Sequence, residues 1–489
     1  MPAALINWGV VLAYFAFTVW LGGRLGRGQR NLEDYFLAGR STPWLAASLS
    51  IVGTETSTLT FVGVPAIAYA GNLGFLQVAA GYVLGRMLVA WWLVPAYFEG
   101  RISTAYELLE LHFGERVRRF SSGIFLVSRV LADGVRLFAT ALVLRALLPM
   151  PLPVAIVVVT AVTLYYTMRG GLKAVIWNDA VQLVVYVTGA VLAGWILVRL
   201  LPGGLAPTLS DLRATGKLDV LDFGWNWSNA YTFWAGLLGG AVLTMATHGT
   251  DQMFVQRLLA CRSARDAQKA VIASGIIVFA QMALFLLIGS LLYSYYTTFP
   301  PAFPFETPDQ VFPRFIATQL PPGLGGLVIA AVFAAAMSTL SSSMSSLASA
   351  STFDFGRLLR ATEATALRTS RILTAVWAAA LAVVAMIARS WGLVLETGLT
   401  ITSITFGPVL GVFALAVAGR QLQQSAVLTA MGVGLAAAAS AHLFTPLAWT
   451  WLTPLGAAVT LLLGWVLSRP SGGREAAPQP PVQLLHKGP

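Results

Sequence analysis

Stretches of eighteen or more predominantly apolar residues recur along this chain from end to end, each long enough to cross a bilayer as one helix. Thirteen can be drawn, at roughly 4–24, 43–70, 73–98, 118–147, 151–168, 174–200, 229–250, 270–296, 323–351, 367–389, 391–417, 425–443 and 446–468. Hydrocarbon offers no partner to a backbone amide, so such spans must satisfy themselves as helices. With 57% hydrophobic and 10% charged residues over 489 positions, a soluble globular domain is excluded. The chain reads as an all-α integral membrane protein of about thirteen transmembrane helices. Residues 1–468 form one transmembrane domain. Residues 469–489, made of Pro, Gly and polar residues, form a disordered cytoplasmic tail.

A net charge of +11 would suggest nucleic acid if the charges were clustered. They alternate instead. One set of loops and the tail hold most of the cations, whereas the opposite set holds only Arg145, Arg199, Arg213, Lys217, Arg314 and Arg389. This bias predicts an outside N-terminus, a cytoplasmic C-terminus and insertion in a plasma (inner) membrane, with lipid rather than nucleic acid as the partner. The first span lacks a charged leader and a cleavage site and is expected to be retained. The two long outer loops, 202–228 and 297–322, are rich in Pro, Trp and Phe and are expected to pack over an outer vestibule. One cysteine, Cys261, leaves no disulfide, and four His with one Cys make no zinc site. Gly170-Gly171-Leu172-Lys173 lacks the Walker spacing, so neither ATP-driven transport nor an enzyme is expected.

Two spans carry helix breakers. Span 2 holds Gly53, Glu55 and several hydroxyls before Gly63-Val64-Pro65, and span 7 holds Gly236, Gly239 and Gly240 before Thr247-His248-Gly249-Thr250-Asp251. Gly and Pro loosen the helical ladder, and freed carbonyls are cation ligands. The two lie five spans apart, as two inverted repeats each opening on a discontinuous helix would place them. Span 9 carries the other anomaly. Ser338, Ser342, Ser345 and Ser349 share one helical face, flanked by Thr339, Ser341 and Ser346. Such a stripe must face protein, water or an ion, or else serve close helix packing. Ser343 lies off the stripe and reads as packing.

Acids inside spans are functional candidates because leaving them unpaired costs roughly 3 kcal/mol on insertion scales. They are Glu55, Asp133 and Glu396, with Asp179 opening span 6 and Asp251 closing span 7. Asp179 either caps its helix, pairs with Lys173 or meets an ion. Glu55 either pairs with a buried cation such as Arg136 or serves ion or solute. Arg129, Asp133 and Arg136 are spaced for an intrahelical ion cluster, in which one aspartate cannot neutralise two arginines. The spare guanidinium would suit an anionic solute.

Four segments together resemble the sodium:solute symporter family. They are Asp34-Tyr35-Phe36-Leu37-Ala38-Gly39-Arg40, the run from Gly170 to Gln182 with Ile176-Trp177-Asn178-Asp179 inside it, Asp251-Gln252-Met253-Phe254-Val255-Gln256-Arg257, and Ala335-Ala336-Met337-Ser338-Thr339. The resemblance implies a LeuT-type fold of two inverted five-helix repeats, about 43–200 and 229–417, with flanking helices, functioning as a monomer. It implies sodium-coupled uptake of a small solute by alternating access. Its sodium site carries over to Gly53, Thr56, Ala335, Ser338 and Thr339, whose hard neutral oxygens suit sodium better than a divalent ion. The second sodium of some members carries over to Asp179, Ser341 and Ser342. Analogy with the fold adds Glu55, Ser57, Thr60, Gln77, Arg136, His248 and Phe254 around the solute, and Glu396 as a vestibule or gate residue. Thr60-Phe61-Val62-Gly63-Val64-Pro65-Ala66 and Thr104-Ala105-Tyr106-Glu107-Leu108-Leu109-Glu110-Leu111 are similar to the branch carrying iodide, vitamins and monocarboxylates, which favours an organic anion. A proton-coupled carrier of the same fold, with Glu55 or Asp179 titrating, is the alternative; a non-transporting membrane sensor is another.

Overall fold

The computed structural model describes residues 2–27, 29–148, 150–356, 363–388, 394–420 and 422–468. The first half contains α1 (Pro2–Leu25), α2 (Leu32–Leu37), α3 (Trp44–Glu55), α4 (Thr58–Ala70), α5 (Phe75–Glu99), α6 (Glu107–Phe113), α7 (Glu115–Leu147), α8 (Leu152–Leu200) and α9 (Leu205–Ala214). The second half contains α10 (Gly240–Thr250), preceded by a π-helical turn at Ala235–Gly239, then α11 (Gln252–Leu259), α12 (Ala264–Thr298), α13 (Val311–Gln319) and α14 (Leu324–Asp354). It ends with α15 (Glu363–Ile387), α16 (Val394–Val417), α17 (Gln424–Phe444) and α18 (Trp449–Leu467). Among the described residues there is no strand; one isolated bridge pairs Thr42 with Cys261.

Nine helices among the described residues are long and apolar enough to cross a membrane, or ten if α3 and α4 count as one span bent by 65°. The other expected spans fall on segments that length and apolarity do not register separately. α8 has 49 residues, about twice what a bilayer requires. It is kinked at Gly171 (φ 53°, ψ −160°), where a Cβ would sit 2.6 Å from the Tyr35 carbonyl. α7 carries Arg129, Asp133 and Arg136 in its middle, and α10 has only 11 residues after its π turn.

α14 forms the centre. Every residue from Val328 to Thr352 is buried, on the apolar and the hydroxyl faces alike. A helix enclosed on all sides needs neighbours all round, and α14 packs on α8, α7, α15, α1, α3 and α4. Its first turn is capped from outside, because Asn7 Oδ1 on α1 accepts from the amides of Gly323 (2.8 Å) and Gly326 (3.0 Å). The loop before α10 lies across the start of α18. There the Ala448 amide donates to the Trp227 carbonyl at 2.9 Å, and the Trp227 and Trp451 rings pack 4.9 Å apart.

Candidate functional site

The break between α3 and α4 supplies the first set of ligand groups. Thr56 (φ −83°, ψ 94°) and Ser57 (φ −89°, ψ 173°) are extended, so the last carbonyls of α3 lose their helical amide partners. Hydroxyls of α14 meet those carbonyls. Ser338 Oγ lies 2.7 Å from Gly53 O and 3.2 Å from Ala335 O. Thr339 Oγ1 lies 2.9 Å from Thr54 O and 3.4 Å from Ala335 O. Gly53, Ala335, Ser338 and Thr339 are thus brought together, with the Thr54 carbonyl as an addition the expected set lacks. Thr56 sits at the break itself, its Oγ1 accepting from Gln281 Nε2 at 2.8 Å. Gly53 permits the approach of α3 to α8, for a Cβ there would lie 2.8 Å from Asp179 O. These oxygens are neutral and hard, a donor set that fits sodium.

One turn deeper, Asp179 is fully buried. Its Oδ2 accepts from Ser50 Oγ (2.6 Å), Thr54 Oγ1 (3.2 Å), Ser342 Oγ (3.4 Å) and Arg257 Nη2 (3.0 Å). Arg257 also donates to Ser342 Oγ and, at 2.7 Å, to Ser50 Oγ. Asp179 therefore pairs with Arg257 rather than Lys173. Of its two expected partners, Ser342 is present, whereas Ser341 Oγ turns to the Ser338 carbonyl at 3.1 Å. Asp179 Oδ1 is buried without a hydrogen-bond partner.

Above the break lies a cavity of about 90 Å³. Glu55, Ser57, Thr60, Arg136, His248 and Phe254 line it, six of the seven residues expected around a solute. Gln77 does not. Its Nε2 donates to Tyr231 O at 2.8 Å and its Oε1 accepts from the Asp222 amide at 3.1 Å, so it holds the loop before α10 to α5. Glu55 is ion-paired with Arg86, not Arg136, and His248 Nε2 stands 3.7 Å from the same carboxylate. His248 stacks on Phe254 with centroids 4.1 Å apart. Arg129 and Arg136 share Asp133 at 3.4 and 3.1 Å, but Arg129 is also paired with Asp251. The expectation of one aspartate against two arginines is thereby corrected to two against two. Arg136 remains partly open, its side chain 18% exposed against 2% for Arg129.

The profile of the sodium:solute symporter family matches residues 35–434. The chain belongs to the sodium:solute symporter family. The symporter is similar to the human sodium/iodide cotransporter (Homo sapiens), 29% identical over 86% of this chain and 66% of that protein. It is 28% identical to the sodium/sialic acid symporter NanT of Aliivibrio fischeri, over 94% of this chain and 92% of that one. It is 30% identical to sodium-coupled monocarboxylate transporter 1 of Xenopus laevis, over 83% of this chain and 65% of that one. Its fold matches a substrate-bound, outward-open Na⁺-coupled sialic acid symporter at TM-score 0.88 and 26% identity, over 94% of this chain and 97% of the other. The nucleobase-cation-symport-1 transporter Mhp1 matches at TM-score 0.57 and 15% identity, which concerns the fold alone. The symporter is thus a multi-pass, LeuT-type membrane transporter and not an enzyme, of a family that couples transport to sodium.

Sequence reasoning missed Arg86, Arg257 and Ser343 in this region. Ser343 is more than packing, since its hydroxyl donates to Asp133 Oδ2. Arg86 was visible as a cation inside a span, which requires an anion, and Glu55 was visible as its counterpart. The motif Thr104–Leu111 proves to be part of a charge cluster that ties α6 to α7 and to the end of α14. Arg118 there holds Glu107 (3.0 Å), Glu110 and Asp354 (2.7 Å), and Thr104 and Ser122 also donate to Asp354 at 2.6 and 2.7 Å. The side chain of Glu396 and residues 469–489 lie outside the described residues.

Proposed function

We propose that the symporter imports a small organic anion together with sodium, and that Arg136 is the group that receives the anion. The carrying observation is that Arg136 presents the more exposed guanidinium of the cavity wall, while among the described residues its only ion pair is the shared one with Asp133. A guanidinium offers a planar fork of donors matched to a carboxylate. Ser57 and Thr60 add hydroxyls, and Val64, Phe254, Met282 and Leu399 add an apolar wall. The similar proteins named for iodide, monocarboxylate and sialic acid all carry anions.

Sodium sits between α3 and α14, on the carbonyls of Gly53, Thr56 and Ala335 and the hydroxyls of Ser338 and Thr339. A second sodium has one opening, at Asp179 Oδ1, because Arg257 closes the Oδ2 side toward Ser342. Sodium stabilises the solute-binding conformation by its differential affinity for the two states, and sodium and solute raise each other's affinity reciprocally. The transporter domain acts as a monomer in the plasma membrane, N-terminus outside and C-terminus in the cytoplasm.

Uptake of radiolabelled propionate and pyruvate into proteoliposomes tests the reading, with an inward sodium gradient, a potassium gradient or a pH gradient. Accumulation in sodium alone, lost in Arg136→Gln, is the expected result. Accumulation driven by the pH gradient without sodium would instead establish the proton-coupled carrier, and uptake that survives Arg136→Gln would end the anion assignment.

A further inference from the structure

Asp133 belongs to neither expected site, yet it bonds to Arg136 of the solute set and, through Ser343, reaches the turn of α14 that carries Thr339 of the sodium set. It lies in the middle of α7, 2% exposed. On one side, Oδ1 accepts from Arg136 and Arg129 at the cavity wall, at 3.1 and 3.4 Å. On the other side, Oδ2 accepts from Ser343 Oγ of α14. Ser343 Oγ also lies 3.0 Å from the carbonyl of Thr339, one turn earlier, whose own hydroxyl faces the broken helix. The remaining space between Thr339 and Arg136 is a void of about 10 Å³, bordered by Ser57, Asp133, Ala336 and Leu340. That is room for about one water. One carboxylate is thus the direct bridge between the ion helix and the solute guanidinium.

We propose that Asp133 couples ion binding to solute binding by dividing its charge between Ser343 and Arg136, an inference that rests on the ion-site and anion readings given above. A carboxylate shared among three donors cannot strengthen one bond without loosening another. Sodium fixing the Thr339 turn of α14 also fixes Ser343 on Oδ2, and Asp133 then holds Arg136 less firmly. The freed guanidinium takes the anion. In reverse, an anion that engages Arg136 leaves Asp133 to Ser343 and orders the turn that carries the sodium ligands. The coupling is reciprocal, as linkage requires. Asp133 is a positioning residue; it binds neither cargo.

An anionic thiol reagent reads this coupling whichever anion is the natural solute. Leu399 lines the cavity, and the native thiol of Cys261 is only 1% exposed. In the full-length Leu399→Cys protein, the rate of modification by 2-sulfonatoethyl methanethiosulfonate is divided by the rate for the neutral methyl reagent, in sodium and in potassium. Thermal shift follows sodium binding in parallel. Sodium is expected to raise the ratio about fivefold or more, the lower end of ordinary coupling. Adding Ser343→Ala should bring the ratio in sodium to within about twofold of that in potassium while sodium still stabilises the protein, and Ser343→Thr, which keeps the hydroxyl, should restore the response. A full response in Ser343→Ala overturns the proposal, as does a sodium-stabilised Leu399→Cys protein with no response. Loss of sodium stabilisation in Ser343→Ala would make Ser343 part of the ion site and also overturn it. Absence of sodium stabilisation in Leu399→Cys itself would instead fail the ion-site reading.

Discussion

The charges around the broken helices and those gathered on Arg118 are arranged differently. Around the breaks, carboxylates and guanidinia match one to one: Glu55 with Arg86, Asp179 with Arg257, and Asp133 and Asp251 with Arg129 and Arg136. Where α6, α7 and the end of α14 meet, Arg118 pairs with Glu107, Glu110 and Asp354 among the described residues. Arg86, Arg257 and Asp179 have fully buried side chains, as does Asp354 beside Arg118, whereas those of Glu107 and Glu110 are 21% and 28% exposed. A buried charge without its partner costs several kcal/mol, so each buried carboxylate and guanidinium around the breaks stands beside an opposite charge. A neutral interior is also suited to a neutral cargo, and one sodium with one monoanion is such a cargo.

The largest effect should come from unbalancing the interior. Asp179→Asn leaves the Arg257 guanidinium buried without its counter-charge, which should destabilise the protein by about 3–5 kcal/mol. The double variant Asp179→Asn with Arg257→Met removes both charges and should recover most of that loss. Denaturant unfolding in detergent micelles checks this, and equal midpoints for the single and double variants would show that the pair is not an energetic unit. The comparison predicts no such rescue where Arg118 serves three acids.

A smaller and more local effect is expected at the neutral ligands. Ser338→Ala removes one hydroxyl from the proposed sodium shell without disturbing any charge pair. Losing one bond to a charged partner is worth about 1.5–3 kcal/mol, or roughly ten- to hundredfold in the sodium needed for half-maximal stabilisation. The unfolding midpoint in potassium should stay near that of the unmodified protein. A sodium titration that superimposes on the unmodified protein's would remove Ser338 from the ion site.

How legible these regions were depends on whether the chemistry is local in the chain. The apolar spans, the weak points at Gly53 and Gly236–Gly240, and the hydroxyl stripe of α14 are periodic or contiguous signals, and each marks a real feature of the fold. Six residues expected around a solute line one cavity, five of them on the two broken segments and Arg136 on α7; Gln77 fell outside because its reach to the loop at Asp222 and Tyr231 is tertiary. Charge pairing was the least legible. Arg257 and Asp179 are far apart in sequence, and Arg129 finds Asp251 as well as its helical neighbour Asp133. No spacing rule links such partners. A parity argument would have come closer, because every interior acid demands a base somewhere.

The smallest expected effect separates the Arg118 cluster from the charges around the breaks by pH. Glu107 lies on α6, a seven-residue helix in the connection between two spans. Burial, outweighing the pull of Arg118 and of the Ser103 amide, raises its carboxyl from 4.5 to about 7. A carboxyl whose value is raised by folding favours the folded state when protonated. The contribution is therefore complete below about 4.5 and is lost as pH rises through about 7. Glu107→Gln, uncharged throughout, should flatten the fall of the unfolding midpoint across that window, while its midpoint at the acid end stays close to that of the unmodified protein. The balanced interior predicts the contrast: Ser338→Ala, which changes no charge, should keep the unmodified protein's pH slope. Thermal unfolding of the three proteins between those two pH values decides it. Parallel curves for Glu107→Gln and the unmodified protein would mean that Arg118 holds Glu107 ionised throughout, against the effect of its burial.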